Sequence, residues 1–130
     1  MAKPTTDQDL ILIVDDVEEN CELAKIYAQK LGWRTLCCDS GKHALDALKS
    51  TIPRVILLDI KMPEIDGISL ARVIRLTPEH SDIKIIGYTA HALKDEIEYI
   101  RTAGFDDVLI KPVTYKSLSD CLGATSIVFL

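Results

Sequence analysis

The chain has 130 residues, 48% hydrophobic and 27% charged, which suits one globular domain with a buried core and excludes a disordered or collagen-like chain. Fifteen basic and twenty acidic residues give a formal net charge of −5, which argues against direct binding of nucleic acid or an anionic membrane. The apolar runs are much shorter than the roughly 20 residues that a membrane-spanning helix needs, so we expect a soluble protein.

The amino-terminal residues and the cysteines bear on the compartment. Residues 1–9 are polar and lack the basic start and apolar stretch of a signal peptide, so we expect a tail on a cytoplasmic protein. Cysteines occur at Cys21, Cys37, Cys38 and Cys121, and none has the C-x-x-C spacing of a zinc or redox site. We interpret them as reduced thiols that are mostly buried as small apolar residues.

Short apolar segments alternate with longer segments of helical periodicity, which predicts strands joined by crossover helices in a parallel sheet with helices on both faces. The predicted strands are residues 10–14, 35–38, 55–58, 84–88 and 108–110. Gly32 is expected to end the first helix, and Ser40 is expected to cap the second. A short last helix is predicted from about Thr114 to Leu122.

Apolar residues three and four positions apart define the buried stripe of each predicted helix. The inward-facing residues expected from this spacing are Ala24, Tyr27, Ala28 and Leu31 in the first helix, Ala44, Leu45 and Leu48 in the second, Leu70, Ala71, Val73 and Ile74 in the third, and Leu93, Ile97 and Ile100 in the fourth.

Polar residues follow or end four of the five predicted strands. Asp15 and Asp16 follow the first strand, Asp59 the third and Lys111 the fifth, while Thr89 stands at the end of the fourth. Because a parallel sheet places the carboxyl ends of its strands along one rim, these side chains should converge. The sequence therefore predicts a cluster of three carboxylates, one hydroxyl and one ammonium group.

Such a cluster needs a cation. At roughly 4 Å, each pair of carboxylates repels by about 4 kcal/mol at an effective dielectric constant near 20. Lys111 supplies only one positive charge. Oxygen ligands without His or Cys favour Mg²⁺ or Ca²⁺, and a few carboxylates with open positions for water and phosphate favour Mg²⁺. A carboxylate can accept a phosphoryl group, and Asp59, between the acidic pair and Lys111, is the candidate nucleophile.

The chain reads ILIVDD at 11–16, LLDIKMP at 57–63, DG at 66–67, YTA at 88–90 and KP at 111–112. These motifs, in this order, resemble the receiver domain of two-component response regulators. The resemblance implies an α/β flavodoxin-like three-layer sandwich, with a five-stranded parallel sheet in the order 2-1-3-4-5 and about five helices. The domain would span residues 10–122, between the polar tail 1–9 and an apolar tail 123–130.

The resemblance also implies a role for each residue of the cluster. Asp59 would accept a phosphoryl group from a sensor histidine kinase or a histidine phosphotransfer protein. Asp16 and Asp59 would bind Mg²⁺ directly, Asp15 would bind it through water, and the main-chain carbonyl of Lys61 would complete the ligands. Lys111 would pair with the phosphoryl oxygens, Thr89 would donate a hydrogen bond to one of them, and the bond between Lys111 and the following proline would be cis.

Phosphorylation would then act as a switch, because the added charge beside Thr89 and Lys111 biases the surface formed by the fourth helix and the last strand and helix. A downstream protein partner would bind that surface, and the chain would be a signalling domain rather than an enzyme. Val108 stands where receivers usually carry an aromatic residue, so we expect either a backbone-led switch or a substitute such as Tyr88 or Tyr99.

The same residues bear on other functions. A flavodoxin-type electron carrier is disfavoured because Asp15 and Asp16 would repel a flavin phosphate, and an aspartyl phosphatase is disfavoured because Lys61 replaces its second acid. The remaining alternative is a receiver-like interaction domain with a cation site but no phosphate turnover. The apolar residues 127–130 would fold back, contact a second chain as in a homodimer, or continue into a larger protein.

Overall fold

The computed structural model describes residues 5–90 and 93–126, without the side chains of residues 5–7 and 123–126. Its five strands form one parallel sheet in the order β2-β1-β3-β4-β5, as expected. The strands are β1 (Thr5–Val14), β2 (Arg34–Cys38), β3 (Thr51–Asp59), β4 (Lys84–Thr89) and β5 (Asp107–Ile110).

Helices cover both faces of this sheet. They are α1 (Glu18–Lys30), α2 (Gly41–Ala47), α3 (Gly67–Leu76), α4 (Lys94–Thr102) and α5 (Tyr115–Ser126), with a 3-10 turn at Pro78–His80. Side chains alternate along each strand, so Ile11 and Ile13 pack with α1 and α5, whereas Leu12 and Val14 pack with α2, α3 and α4. This arrangement confirms the three-layer sandwich. Among the described residues, no helix combines the length and apolarity needed to span a membrane.

The first strand is longer than the apolar pattern indicates. It begins at Thr5 rather than at residue 10, and residues 5–7 pair with Thr51, Ile52 and Pro53 of β3 before a register shift. Residues 5–9, expected as part of the tail 1–9, are therefore strand, because ladder pairing uses backbone groups whatever the side chains. Residues 1–4 of that predicted tail lie outside the described residues.

Two residues assigned to buried stripes are exposed. Val73 is 44% exposed because Leu70, Ala71 and Ile74 already fill the face of α3 that meets the sheet. Leu93 is 67% exposed because it lies before the first turn of α4, where its backbone is extended. Helix periodicity places Val73 at the margin of its stripe, whereas Leu93 fits the period but precedes the helix.

The helix ends largely follow the predictions. Gly32 has a φ of 92°, and the Ser40 side chain accepts a hydrogen bond of 3.1 Å from the backbone N–H of His43 at the start of α2. Helix α5 continues to Ser126, so residues 123–126 of the predicted apolar tail are helical. Residues 127–130 lie outside the described residues.

Candidate functional site

The three predicted carboxylates meet at the carboxyl ends of β1 and β3. Asp15, Asp16 and Asp59 each bring one carboxylate oxygen into a group within 4.8 Å, with Asp15 and Asp59 buried and Asp16 exposed. Lys111, just after β5, places its Nζ 3.1 Å from Asp15 Oδ2 and 3.2 Å from Asp59 Oδ1. The convergence predicted from the strand ends is therefore confirmed for these four side chains.

Thr89 ends the neighbouring strand β4 and is buried. Its main-chain carbonyl accepts a hydrogen bond of 2.8 Å from the backbone N–H of Lys111. The residue before it, Tyr88, pairs with Asp59 across the ladder between β3 and β4. The backbone thus holds Thr89 beside the strands that carry the acid and the lysine.

Asp15 has one satisfied and one unsatisfied oxygen. Its Oδ1 accepts a hydrogen bond of 2.9 Å from the backbone N–H of Val17. Its Oδ2 is buried and accepts no hydrogen bond of good geometry, although the Lys111 ammonium lies at ion-pair distance. A buried anionic oxygen without a well-directed donor is a suitable ligand for a cation.

The Asp59 carboxyl group is the middle of the cluster. Its Oδ1 accepts a hydrogen bond of 3.2 Å from the backbone N–H of Lys61. Burial, followed by the negative charge of Asp15, raises the pKa of Asp59 to about 6 against the opposing effect of Lys111. Burial disfavours the charged form of Lys111, but its contacts with Asp15 and Asp59 outweigh that effect and raise the Lys111 pKa.

The loop after Asp59 is shaped by a close approach at Gly67. A Cβ atom at this position would overlap the main-chain carbonyl of Asp59 and lie 2.8 Å from Ile60 Cα. The Gly67 N–H donates a hydrogen bond of 2.9 Å to the Ile60 carbonyl, and Asp66 caps α3 by accepting a hydrogen bond from Ser69. The Asp66 and Gly67 pair therefore fixes the turn that follows the candidate nucleophile.

Tyr88 contributes to the site in a way that spacing did not predict. Its buried ring lies under Lys111, with the ammonium nitrogen 4.8 Å from the ring centre. Its hydroxyl accepts a hydrogen bond of 3.2 Å from the backbone N–H of Val113, just beyond the Lys111–Pro112 bond, which is cis as the resemblance implied. Tyr99, the other candidate substitute for the missing aromatic residue, is 54% exposed on α4. Neither position tests a switching role.

One acidic residue just before β5 has a structural role instead. Asp106 accepts hydrogen bonds from Arg75 at 2.8 Å and from the backbone N–H of Ile85 at 2.9 Å, which is a structural role at the opposite rim.

The donor set fits a hard divalent ion. Its oxygens come from three carboxylates, and Asp15 also carries a buried oxygen, Oδ2, that lacks a hydrogen bond. A single lysine cannot neutralise three carboxylates, so a divalent cation would balance the cluster.

Residues 11–122 match the sequence model of the response regulator receiver domain. The chain belongs to this family. The receiver domain places its acidic pocket, Asp15, Asp16 and Asp59, where a phosphoacceptor site is expected, and such a triad is typical of the receiver Mg²⁺ site. This receiver is a phosphorylation-switched signalling module rather than a classical enzyme.

Curated relatives include both large kinases and a small regulator. The signal transduction histidine-protein kinase BarA of Escherichia coli is 32% identical over 123 residues, which cover 92% of this receiver but only 13% of BarA. The aerobic respiration control sensor protein ArcB of Escherichia coli is 34% identical over 110 residues, covering 84% of this receiver and 14% of ArcB. The polar-differentiation response regulator DivK of Brucella ovis is 33% identical over 104 residues, covering 80% of this receiver and 85% of DivK.

Solved structures agree with the fold. The chemotaxis protein CheY4 of Vibrio cholerae has a TM-score of 0.84 at 20% identity, covering 96% of this receiver and all of that chain. The receiver domain of the sensor histidine kinase PA1611 from Pseudomonas aeruginosa has a TM-score of 0.82 at 30% identity, covering 90% and 96% of the two chains. That structure is described with a magnesium ion coordinated in the active site cleft.

Proposed function

We propose that Asp59 accepts a phosphoryl group from a phosphohistidine of a sensor histidine kinase or a histidine phosphotransfer protein. The observation that carries this proposal is the buried Asp59 carboxylate, which shares the Lys111 ammonium with Asp15 at the carboxyl edge of the sheet. The receiver would therefore act in a two-component or phosphorelay system.

The transfer uses the Asp59 carboxylate as nucleophile. One of its oxygens attacks phosphorus, the bond between phosphorus and the histidine nitrogen breaks, and the electron pair of that bond stays on the imidazole. Because the pKa of Asp59 is raised only to about 6, the carboxylate is mainly ionised at neutral pH. The Lys61 N–H, which donates to Oδ1, holds the carboxylate during the attack.

The carboxylates of Asp15, Asp16 and Asp59 would hold Mg²⁺, and the main-chain carbonyl of Lys61 is the proposed additional protein ligand. When bound, the ion offsets the negative charge of the carboxylates and the incoming phosphoryl oxygens. The role of Asp15 includes keeping Lys111 in place, since its Oδ2 lies 3.1 Å from Nζ.

The proposed switch follows from the charge that the phosphoryl group adds. An aspartyl phosphate brings additional negative charge and hydrogen-bond acceptors beside Lys111, which would turn from the carboxylates to the phosphoryl oxygens. The Thr89 hydroxyl would donate to one of these oxygens. Thr89 precedes α4, and its carbonyl accepts a hydrogen bond from the backbone N–H of Lys111. Movement of Thr89 would therefore change the surface of α4, β5 and α5 that a downstream protein binds.

The cysteines bear on the proposed compartment. The described cysteines are free, which supports the proposal that this exchange takes place in the cytoplasm.

Intact mass spectrometry tests the phosphoacceptor. The full chain is incubated with Mg²⁺ and either acetyl phosphate or a phosphorylated histidine phosphotransfer domain. We expect one added phosphoryl group, its loss in Asp59→Asn, and its retention in Asp82→Asn, which changes an exposed aspartate at the opposite rim. Absence of the adduct with both donors would overturn the proposal and favour the interaction domain without phosphate turnover.

A further inference from the structure

Two cysteines from different elements are in contact beside the acidic cluster. Cys21 on α1 is buried, Cys37 on β2 is partly buried, and both belong to the same core face. Cys37 Sγ lies 4.0 Å from the Cys21 carbonyl oxygen, so the two residues are in direct contact. The packing of α1 against β2 therefore places the two cysteines side by side.

A cavity of about 420 Å³ gives small molecules access to this pair. Both thiols line it, together with Asp15 and Asp16 of the cation site. The partial exposure of Cys37 makes it the thiol that an entering molecule meets first, while Cys21 is covered by the helix.

The other two cysteines have different surroundings. Cys38 also lines this cavity, but it is buried in the core cluster of the opposite face, because successive strand residues point to opposite sides, and burial raises its pKa to about 12. Cys121 on α5 donates a hydrogen bond of 3.4 Å to Asp107, and burial raises its pKa to about 12. In contrast, the Cys21 thiol and then the charge of Lys25 lower the Cys37 pKa to about 7 against the effect of burial.

We propose that Cys21 and Cys37 form a thiol oxidation site that closes to a disulfide when the protein meets a peroxide. The Cys37 thiolate attacks one peroxide oxygen, the O–O bond breaks, and sulfenic acid and water form after the leaving oxygen is protonated. Cys21 sulfur then attacks Cys37 sulfur, and the sulfenic oxygen leaves with the Cys21 proton as a second water. The two thiols lose two electrons in total, which reduce the peroxide, and a dithiol reverses the bond.

The disulfide would also reach the cation site, a consequence that rests on the proposed function. The Cys21 thiol donates to the main-chain carbonyls of Ile13 at 3.9 Å and Asp15 at 3.7 Å. The backbone N–H of Asp15 in turn donates a hydrogen bond of 3.1 Å to the Cys38 carbonyl. The backbone of Asp15 is thus held by both cysteine-bearing segments. Disulfide formation removes the Cys21 S–H donor, so Mg²⁺ should bind more weakly to the oxidised protein.

The test compares reduced full-length chain before and after hydrogen peroxide, by intact mass and by peptide mapping without reduction. We expect the loss of two hydrogens, a peptide that links Cys21 to Cys37, and reversal by dithiothreitol. Cys38→Ser and Cys121→Ser should keep the link. Cys21→Ala should lose it and leave a sulfenic acid on Cys37 that dimedone labels, with circular dichroism confirming that the variant is folded.

Failure has distinct signatures for the two proposals. The thiol site would be overturned if oxidation of the wild-type chain gave no link, or gave a link through Cys38 or Cys121. Dimedone labelling of Cys21→Ala at a residue other than Cys37 would overturn it as well. Mg²⁺ affinity is then measured by calorimetry on both redox forms. Equal affinities would overturn the effect on the cation site, and the absence of Mg²⁺ binding to the reduced chain would count against the proposed function while the disulfide result stands.

Discussion

The ammonium nitrogen of Lys111 lies 4.8 Å from the centre of the Tyr88 ring. The Tyr88 hydroxyl accepts a hydrogen bond from the backbone N–H of Val113, which is two residues after Lys111. One buried side chain therefore touches both the charged end of the lysine and the backbone that carries it. A cation above an aromatic ring in a desolvated site is stabilised by about 0.5–2 kcal/mol.

Tyr88→Leu should slow phosphorylation by acetyl phosphate roughly 3- to 10-fold, because it removes this cation–π contact. Tyr88→Phe keeps the ring and should stay within about twofold of wild type. The rates are measured by intact mass over time. In a Lys111→Ala background, Tyr88→Leu should have no further effect on the rate, and an undiminished effect there would show that the ring acts through general packing instead.

Lys111→Ala should destabilise the fold by about 2–4 kcal/mol, because it leaves the buried carboxylates of Asp15 and Asp59 without their cation. Mg²⁺ should therefore stabilise this variant more than the wild type. Urea unfolding with Mg²⁺ and with a chelator measures both effects. Lys116→Ala, which removes an exposed ion pair with Asp120, is the control and should change stability by less than about 1 kcal/mol.

Without divalent cations, the stability of the wild type should fall as the pH rises from about 4 to 7. The pKa of Asp59 is about 6 in the folded chain and 3.8 ordinarily, so between these values the folded state binds more proton. The stabilisation from this protonation is complete below pH 3.8 and is lost as the pH rises through about 6.

Asp59→Asn isolates that effect, because it removes the titrating group. At pH 7 in a chelator, it should be more stable than the wild type by about 1–3 kcal/mol, with the difference shrinking at low pH. Urea denaturation at a series of pH values provides the comparison. If the free energies of unfolding of the two proteins changed in parallel with pH, the raised pKa of Asp59 would be contradicted.

Arg75→Ala should lower stability by about 2–4 kcal/mol without changing the phosphorylation rate of the folded protein. The Arg75 guanidinium donates to the carbonyls of Gly104 at 2.9 Å and Ile83 at 2.7 Å and pairs with Asp106 at 2.8 Å. These contacts tie α3 to the rim opposite the acidic cluster. A slower phosphorylation rate measured well below the melting temperature would show coupling between the two rims.

Gly67→Ala should slow phosphorylation by roughly 10- to 100-fold, since the new methyl group would displace the backbone that carries Asp59. Gly32→Ala is the matched control, because its φ of 92° disfavours alanine while no atom lies within 4 Å of the added carbon. It should cost about 1 kcal/mol of stability and leave the rate unchanged. Equal rate losses in both variants would indicate that stability, rather than the Asp59 backbone, determines the result.

The residues of the acidic cluster were predictable because the end of a strand is a one-dimensional feature. Buried parallel strands appear as apolar runs, so the polar residues Asp15, Asp59 and Lys111 mark where the runs stop. Parallel pairing then brings those ends to one rim whatever the helices do. The same logic failed for residues 5–9, where a polar segment pairs with β3 through its backbone and leaves no apolar signal.

Other features depended on how the helices lie on the sheet. Spacing indicates that Cys21 and Cys37 belong to a helix and a strand, but only the packing of α1 against β2 brings the two residues into contact. The position of the Tyr88 ring beneath Lys111 likewise depends on the turn after β5. The sequence by itself determined which groups stand at the rim, because strand order and direction decide that. The tertiary structure alone decided which side chains touch across elements, because such contacts depend on the rotation and distance of each packed element and leave no periodic trace in the chain.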